Sequence, residues 1–146
     1  MTVALSGQEL AGQIEAHFPQ AVVESSPDSL VLDAGSLLAV ATYLKNTPDL
    51  GFDYLTSRTA VDYLDYFEVV YHLTSLQHNH SLVLKVRLYQ REGPSLPSVV
   101  GLWRGADFQE REVFDLLGIR FDGHPNLRRI FLWEGFKGYP LHKDFL

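Results

Sequence analysis

Three carboxylates, Glu110, Glu112 and Asp115, lie close together in the sequence, where two of them could serve as a general acid and a general base. On a helix, residues two positions apart are separated by about 200° and face different sides, so Glu110 and Glu112 do not form such a pair. Asp107, Arg111 and Asp115 are spaced by four residues and would form a row of alternating charge. We therefore interpret the segment as a salt-bridged helix face that orients the chain after it.

Two histidine motifs could ligate a metal or supply a base. His78 and His80 are at a predicted hairpin tip, where no third ligand is apparent. His124 precedes Pro125 in a predicted turn, and a local hydrogen bond that shapes the turn is the simpler interpretation. The sequence contains no dinucleotide, P-loop, nucleophile-elbow or zincin motif. It therefore favours a binding or scaffold subunit.

Charge is unevenly distributed along the chain. Residues 1–118 carry 7 Lys or Arg and 15 Asp or Glu, whereas residues 119–146 carry 5 and 3. The acidic body argues against a nucleic-acid binder, because phosphate contacts need a basic surface. The basic segment suits an acidic groove on another protein. Arg128 and Arg129 could grip a phosphate, but we favour a partner's carboxylates as their target.

Length and composition indicate one domain. The 146 residues include no cysteine, so the chain offers no disulfide and no thiolate ligand for a metal or iron–sulfur cluster. The longest apolar stretch, Leu37 to Leu44, is far shorter than the roughly 20 residues that span a bilayer. No basic segment precedes an apolar run at the N-terminus. We expect a cytosolic or cytosol-facing protein.

The spacing of apolar residues predicts an α+β fold, a single two-layer domain whose mixed or antiparallel sheet is packed by helices. The predicted helices run from a capping box at Ser6 and Glu9 to Phe18, from Ser36 to Lys45, and from Asp107 to Leu117 with Gly118 as C-cap. The predicted strands are Ala21 to Ser25, Leu30 to Asp33, a hairpin around His78 and Asn79, and Val99 to Trp103 after a turn at Pro94 to Pro97.

We divide the chain into an α+β domain, residues 1–118, and an extended tail, residues 119–146. The tail has no sustained period of 3.6 or 2, yet it contains six aromatic residues. A disordered segment would be poor in aromatics. The tail therefore crosses the surface of a partner, which we favour, or folds back on its own domain.

Two strings carry a resemblance to a known family. The first is E-R-E-V-F-D-L-L-G-I-R-F-D-G-H-P-N-L-R-R-I, residues 110–130, and the second is G-Y-P-L-H-K-D-F, residues 138–145. They resemble the signature of the 30-kilodalton (C-type) subunit of respiratory complex I, the proton-pumping NADH:quinone oxidoreductase. Residues 61–73 and 97–103 also resemble that family, so the resemblance covers nearly the whole chain.

The resemblance implies a non-catalytic structural subunit of an oxidoreductase and translocase. Such a subunit is in the peripheral arm, docks on the large quinone-site subunit (49-kilodalton or D-type), and reaches the cytoplasmic face of the inner membrane, or the matrix or stromal face, only through the complex. Flavin mononucleotide, iron–sulfur clusters and quinone are then bound by other subunits, and none by this chain. The equivalent subunit of a membrane-bound hydrogenase, a formate hydrogenlyase or a ferredoxin- or F420-linked dehydrogenase is the alternative.

The resemblance also assigns residues to the contact with the quinone-site subunit. They are Glu110, Arg111, Glu112, Asp115, His124, Pro125, Arg128, Arg129, Trp133, Lys143 and Asp144. Arg128 and Arg129 are the best candidates for pairing with the partner. The family usually has Trp where this chain has Phe108, and Arg where it has His142. An ion pair made by His142 is expected to be weaker or pH-dependent.

Overall fold

The computed structural model describes residues 3–129 and 137–141. These residues form three α-helices, named α1 (Gly7–His17), α2 (Leu37–Asn46) and α3 (Ala106–Leu117). They also form eight strands: β1 (Val3–Ala4), β2 (Val22–Ser25), β3 (Leu30–Leu32), β4 (Tyr54–Asp62), β5 (Phe67–Ser75), β6 (His80–Leu88), β7 (Ser95–Pro97) and β8 (Arg120–Asp122). A short 3₁₀ turn, Ala34–Ser36, leads into α2.

Six of the strands form one mixed sheet. Its order is β2-β3-β6-β5-β4, with β1 also beside β6. Strands β5 and β6 are the long antiparallel hairpin that the alternation predicts, with Phe67 opposite Leu88 and Ser75 opposite His80. The parallel pairing of β3 with β6 makes the sheet mixed. Strands β7 and β8 form a separate parallel pair.

The three helices pack on one face of the sheet. Val69, Tyr71, Leu84 and Val86 point to that face and are buried in one cluster with the apolar residues of the helices. Most of their sequence neighbours, such as Lys85, are on the other face and are half-buried. The predicted α+β fold with two layers is thereby confirmed. Within the described residues, no helix is long and apolar enough to cross a bilayer.

Two predictions around β7 are wrong. The segment predicted as a turn, Pro94 to Pro97, contains β7, because Ser95–Pro97 pairs with β8. The segment predicted as a strand, Val99 to Trp103, is a turn in which the N–H of Trp103 donates to the carbonyl of Val99 at 2.9 Å. The apolar residues of this turn fill the core, and Trp103 Nε1 donates to the Phe52 carbonyl at 2.9 Å. An apolar run in a sequence can therefore reflect burial of a turn and need not form a strand.

The predicted capping box is also not formed. Ser6 is the N-cap of α1, but its side chain makes no capping hydrogen bond. The helix starts where predicted, and its buried residues Leu10 and Ile14 show that packing against the sheet holds it there.

The first residues that we assigned to the tail belong to the packed domain. Ile119 and Phe121 are buried in the core, and Arg120–Asp122 is β8. Beyond them, the division into a domain and a partner-binding tail stays a prediction.

Candidate docking site on helix α3

Helix α3 ends in a left-handed turn that starts the candidate site. Gly118 has φ +79°, and its N–H donates to the Phe114 carbonyl at 2.9 Å, as expected for the predicted C-cap. The chain then forms β8 and turns at Gly123, which has φ +85°. Residues 124–129 come back beside α3.

We call this returning segment, residues 124–129, the strap. It is contacted by the row of charged residues on α3, Asp107, Arg111 and Asp115. The His124 Nε2 atom is 3.0 Å from Asp107 Oδ1. Arg111 Nε donates to the Arg128 carbonyl at 3.1 Å. Arg129 Nε is 3.3 Å from Asp115 Oδ1. Each turn of the helix therefore holds one point of the strap, so the charged face orients the following chain.

His124 shapes the turn at the start of the strap. Its Nδ1 accepts a hydrogen bond from the N–H of Asn126 at 2.9 Å. Because Nδ1 is an acceptor, Nε2 carries the proton and faces Asp107. The ring thus joins the turn to the first part of α3.

Glu110 has a different role, because it is completely buried. Its Oε2 accepts from Arg58 Nη2 and from the N–H of Val99, both at 2.9 Å. Its Oε1 accepts from Ser98 Oγ at 2.5 Å. Arg58 Nη2 also donates to the Tyr71 hydroxyl at 3.0 Å. Glu110 therefore fixes α3 against β4 and the turn after β7, and its burial is incompatible with a direct contact to a partner in this structure.

Arg58 is the buried partner of Glu110 that the sequence analysis missed. Its guanidinium carbon is 4.6 Å from the centre of the Tyr71 ring and 4.4 Å from that of Phe121. Burial raises the pKa of Tyr71, and the positive charge of Arg58 partly opposes that rise. One feature of the sequence could have indicated this residue: Arg58 is the one charged residue between Tyr54 and Val61.

The side chain of Arg129 points into its own chain. It is 9% exposed, and its Nη2 donates to the Gly138 carbonyl at 2.5 Å. Its guanidinium also lies over the Tyr139 ring, 4.8 Å from the ring centre. Arg129 thus clamps residues 137–141 to the end of α3, and in this structure it is not placed to meet a partner.

Residues 137–141 pack against the C-terminal end of α3. The Tyr139 ring lies so close to Gly118 that a Cβ there would be 2.7 Å from Cδ2. The N–H of Leu141 donates to the Leu116 carbonyl at 2.8 Å. For these residues, the structure follows the alternative in which the tail folds back on its own domain.

The remaining predicted contact residues divide into two groups. Glu112, Pro125 and Arg128 are exposed, and in the described part of the chain neither Glu112 nor the side chain of Arg128 is in an ion pair. Asp115 is buried with Arg129. Trp133, Lys143 and Asp144, together with His142, lie outside the described residues.

The histidines at the β5–β6 turn hold a neighbouring loop. His78 Nε2 donates to the Pro48 carbonyl at 2.6 Å, and His80 Nε2 donates to the Leu50 carbonyl at 2.7 Å. Each bond uses the Nε2 atom of its histidine. Among the residues with described positions, no group of three or more His, Cys, Asp or Glu side chains could hold a metal ion.

Comparison with known proteins identifies the class of protein that has this fold and this site. The model of the family described as "Respiratory-chain NADH dehydrogenase, 30 Kd subunit" matches residues 30–146. Because the match covers most of the chain, the chain belongs to this family. The resemblance to the 30-kilodalton subunit of complex I is thereby confirmed.

Individual relatives of the chain, each named as a C-type subunit, support the same family. The C-type subunit of NADH-quinone oxidoreductase from Roseiflexus castenholzii is 40% identical over 97% of this chain and 85% of that protein. The C-type subunit of Moorella thermoacetica is 43% identical over 91% of this chain and 90% of its own length. The second C-type subunit of Rhizobium meliloti is 49% identical over 70% of this chain. The match spans only 57% of the Rhizobium protein.

A solved structure has the same fold. It is a chain in the membrane-bound sulfane sulfur reductase, an archaeal respiratory membrane complex, with a TM-score of 0.76 and 24% identity. The likeness covers 95% of this chain and 85% of that chain. At this identity it supports the fold alone.

Proposed function

We propose that this chain is a non-catalytic structural subunit of the peripheral arm of proton-translocating NADH:quinone oxidoreductase. It docks on the quinone-site subunit and supports electron transfer from NADH to quinone. Flavin mononucleotide, iron–sulfur clusters and quinone are bound by other subunits. The chain reaches the cytoplasmic face of the membrane, or the equivalent matrix or stromal face, through the complex. Family membership and the names of the relatives support this assignment.

One observation carries the docking proposal: three side chains of α3 hold the strap in a fixed path. Pre-ordering lowers the entropy that binding must overcome, so a segment held in this way is suited to recognition. Pro125 and Arg128 are exposed along the strap. The buried residues of the predicted contact set, Glu110 and Asp115, position these exposed groups from within the domain.

The assignment of Arg128 to a partner carboxylate follows from its chemistry and position. Arg128 presents a guanidinium, whose fork of donors matches a carboxylate. Its backbone carbonyl is held by Arg111, so the side chain starts from an ordered point. The 119–146 segment is basic whereas the rest of the chain is acidic, and this asymmetry favours an acidic groove on the partner.

The test is co-purification of the tagged chain from its native membranes, followed by mass spectrometry. Recovery of the quinone-site subunit with NADH-binding and flavin-containing subunits is the expected result. Recovery with hydrogenase or F420-handling subunits would keep the scaffold role but transfer it to the alternative machine. A soluble chain recovered alone would overturn the proposal.

A further inference from the structure

The face of the sheet that the helices leave open carries an apolar surface at one end. There Tyr63, Tyr66 and Tyr89 form a row across the ends of β4, β5 and β6, with 5.4 Å between the centres of neighbouring rings. The guanidinium of Arg87, on the same face, lies over the Tyr66 ring. Tyr63, Tyr89 and Leu64 are exposed. Contiguous exposed apolar surfaces mark interaction sites, whereas single exposed apolar residues are ordinary.

The turn between β4 and β5, which carries half of this surface, is held from inside. The buried Asp62 carboxylate accepts from the N–H of Leu64 at 2.8 Å and from Arg91 Nη1 and Nη2 at 2.6 and 2.8 Å. The N–H of Tyr63 donates to the Tyr66 carbonyl at 2.9 Å. The turn is therefore ordered before any partner binds, which lowers the entropy that binding must overcome.

Leu64 has a backbone conformation that is unfavourable for a leucine. Its φ is +73°, in the left-handed region that favours glycine. Its side chain is 58% exposed, so it gains little from packing within the described part of the domain. Backbone strain of this kind is concentrated at functional sites, where it is held by the surrounding structure. The position thus points to a contact that the leucine makes outside its own domain.

The tyrosine row continues into a pocket beside Tyr89. The pocket has a volume of about 130 Å³, and its walls include Val23, Val31, Asp33 and Arg87. An apolar cavity of roughly 150 Å³ holds benzene in an engineered protein, so this pocket can take an aliphatic side chain. The apolar surface therefore extends from the β4–β5 turn across the sheet to β2.

Three carboxylates surround this surface. Asp65 is in the β4–β5 turn, Glu92 follows shortly after Tyr89, and Asp33 lines the pocket. All three are exposed, and none is in an ion pair with another described residue.

The arginines of the same surface are already neutralised. Arg87 is 3.1 Å from Glu68 and 3.0 Å from Glu24. Arg91 is paired with Asp62 through both of its terminal nitrogens. The charges left for a partner are therefore negative, and the complementary partner is basic.

We propose that this surface is a second docking site, for a segment of another subunit in which apolar side chains are flanked by Lys or Arg. Leu64 enters an apolar socket on that subunit, and an aliphatic side chain of the segment enters the pocket beside Tyr89. The cations of the segment face Asp33 and Asp65. The strap lies beside α3, whereas this surface is on the face without helices, so the two contacts are separate. The inference rests on the proposed function, because it requires assembly with other subunits.

Photo-crosslinking in the assembled complex identifies the partner. A benzophenone amino acid replaces Tyr63 or Tyr89 in the tagged chain, and Leu76, exposed at the β5–β6 turn, is the control position. The complex is irradiated and purified, and the crosslinked peptides are identified by mass spectrometry. We expect both tyrosine positions, and not Leu76, to crosslink to one peptide of another subunit that has apolar residues beside Lys or Arg. Crosslinks only to a second copy of this chain, to its own C-terminal residues or to a peptide without a cation would overturn the proposal.

Leu64→Gly separates binding from folding. Glycine adopts a φ of +73° without strain, so the isolated variant should melt at the temperature of the parent chain or above it. Loss of the exposed anchor should reduce retention of the crosslinked subunit roughly tenfold. Leu76→Gly removes a leucine that is 67% exposed at the other end of the sheet and should retain that subunit. Retention by Leu64→Gly equal to that of the parent chain would overturn the proposal.

A charge reversal tests the basic character of the partner. Asp65→Lys should reduce retention of the same subunit. Asp28→Lys makes the same change at another exposed aspartate, in the β2–β3 turn, and should not reduce it. Equal retention by the two variants would overturn the assignment of a basic segment.

The outcomes separate this inference from the proposed function. Recovery of the NADH:quinone oxidoreductase subunits without a crosslink from the tyrosine row would overturn the second docking site and leave the proposed function intact. The expected crosslink, made to a subunit of another machine, would support the site and overturn the proposed function. A chain recovered alone would overturn both.

Discussion

Arg129 Nε is 3.3 Å from Asp115 Oδ1, and this contact joins the strap to the helix from which the chain departs. The carboxylate side chain has 0% exposure and the guanidinium side chain has 9%. An ion pair this far from water depends on both partners, since removing one leaves an uncompensated buried charge. The same arginine holds Gly138 and Tyr139. Asp115 and Arg129 are therefore part of the fold.

Arg129→Glu should destabilise the chain, because it places a second carboxylate against Asp115. Breaking a buried pair of this kind costs about 3 kcal/mol or more. In a chain of this size that lowers the melting temperature by roughly 6–12 °C. Thermal denaturation followed by circular dichroism measures the change. Arg128→Glu is the matched control and should melt like the parent chain, since the side chain of Arg128 is exposed.

Glu110→Gln should also destabilise the chain, since it leaves the charge of Arg58 buried beside a neutral amide. The expected loss is about 3–5 kcal/mol in the free energy of unfolding, measured by urea denaturation. The double variant Arg58→Met with Glu110→Gln removes that charge and should recover part of the loss. If the double variant lost as much as the two single variants added together, the two residues would not be coupled, contrary to the 2.9 Å contact.

Gly118→Ala should destabilise the end of α3 for two reasons. A residue with a Cβ pays about 1–2 kcal/mol in the left-handed region, and here the added atom would also meet the Tyr139 ring at 2.7 Å. Gly123→Ala separates the two effects, because Gly123 has φ +85° but no atom within 4 Å of its virtual Cβ. Chemical denaturation should show the larger loss for Gly118→Ala. Equal losses would mean that Tyr139 does not pack there.

We expect the free energy of unfolding to fall at alkaline pH because of Tyr71. Burial raises the pKa of its phenol, so the folded state keeps a proton that the unfolded chain loses near pH 10. The stability that depends on this proton is complete below that pH and is lost as pH rises through the raised pKa. The slope is at most about 1.4 kcal/mol per pH unit.

Tyr71→Phe should therefore flatten the fall in stability above pH 10, measured by urea denaturation at a series of pH values. Tyr54→Phe, at a side chain that is 52% exposed, is the control and should keep the slope of the parent chain. A slope unchanged in Tyr71→Phe would show that another group causes the alkaline loss.

The sequence predicted the main elements because their periods are regular. The alternation from Phe67 to Leu88 specified the β5–β6 hairpin, and the stop at Gly118 specified the end of α3. Strand β4 was harder to interpret, because a register shift between Leu55 and Ser57 breaks its alternation. That shift places Arg58 on the buried face. A buried charge cannot be recognised in a sequence until the strand's register is known.

The candidate site was predicted in part. The spacing of Asp107, Arg111 and Asp115 indicated a charged helix face that orients the chain after it, and the structure has that arrangement. The partners of these residues come from the strap, 14 to 17 residues later in the sequence. Helical spacing carries no information about such partners, since they are set by the turn at Gly123. The sequence analysis assigned Arg129 to the contact with a partner, and in this structure its side chain contacts Asp115 of its own chain.

The central claim is that the exposed side chain of Arg128 binds a carboxylate of the quinone-site subunit. The most direct measurement compares the amount of that subunit that co-purifies with the parent chain, with Arg128→Glu and with Arg104→Glu. Arg104 is also exposed and lies outside the strap, so Arg104→Glu makes the same change in net charge at a control position. We predict loss of the quinone-site subunit from Arg128→Glu alone, with an unchanged melting temperature in both variants. Full retention of the quinone-site subunit by a folded Arg128→Glu chain would contradict the claim.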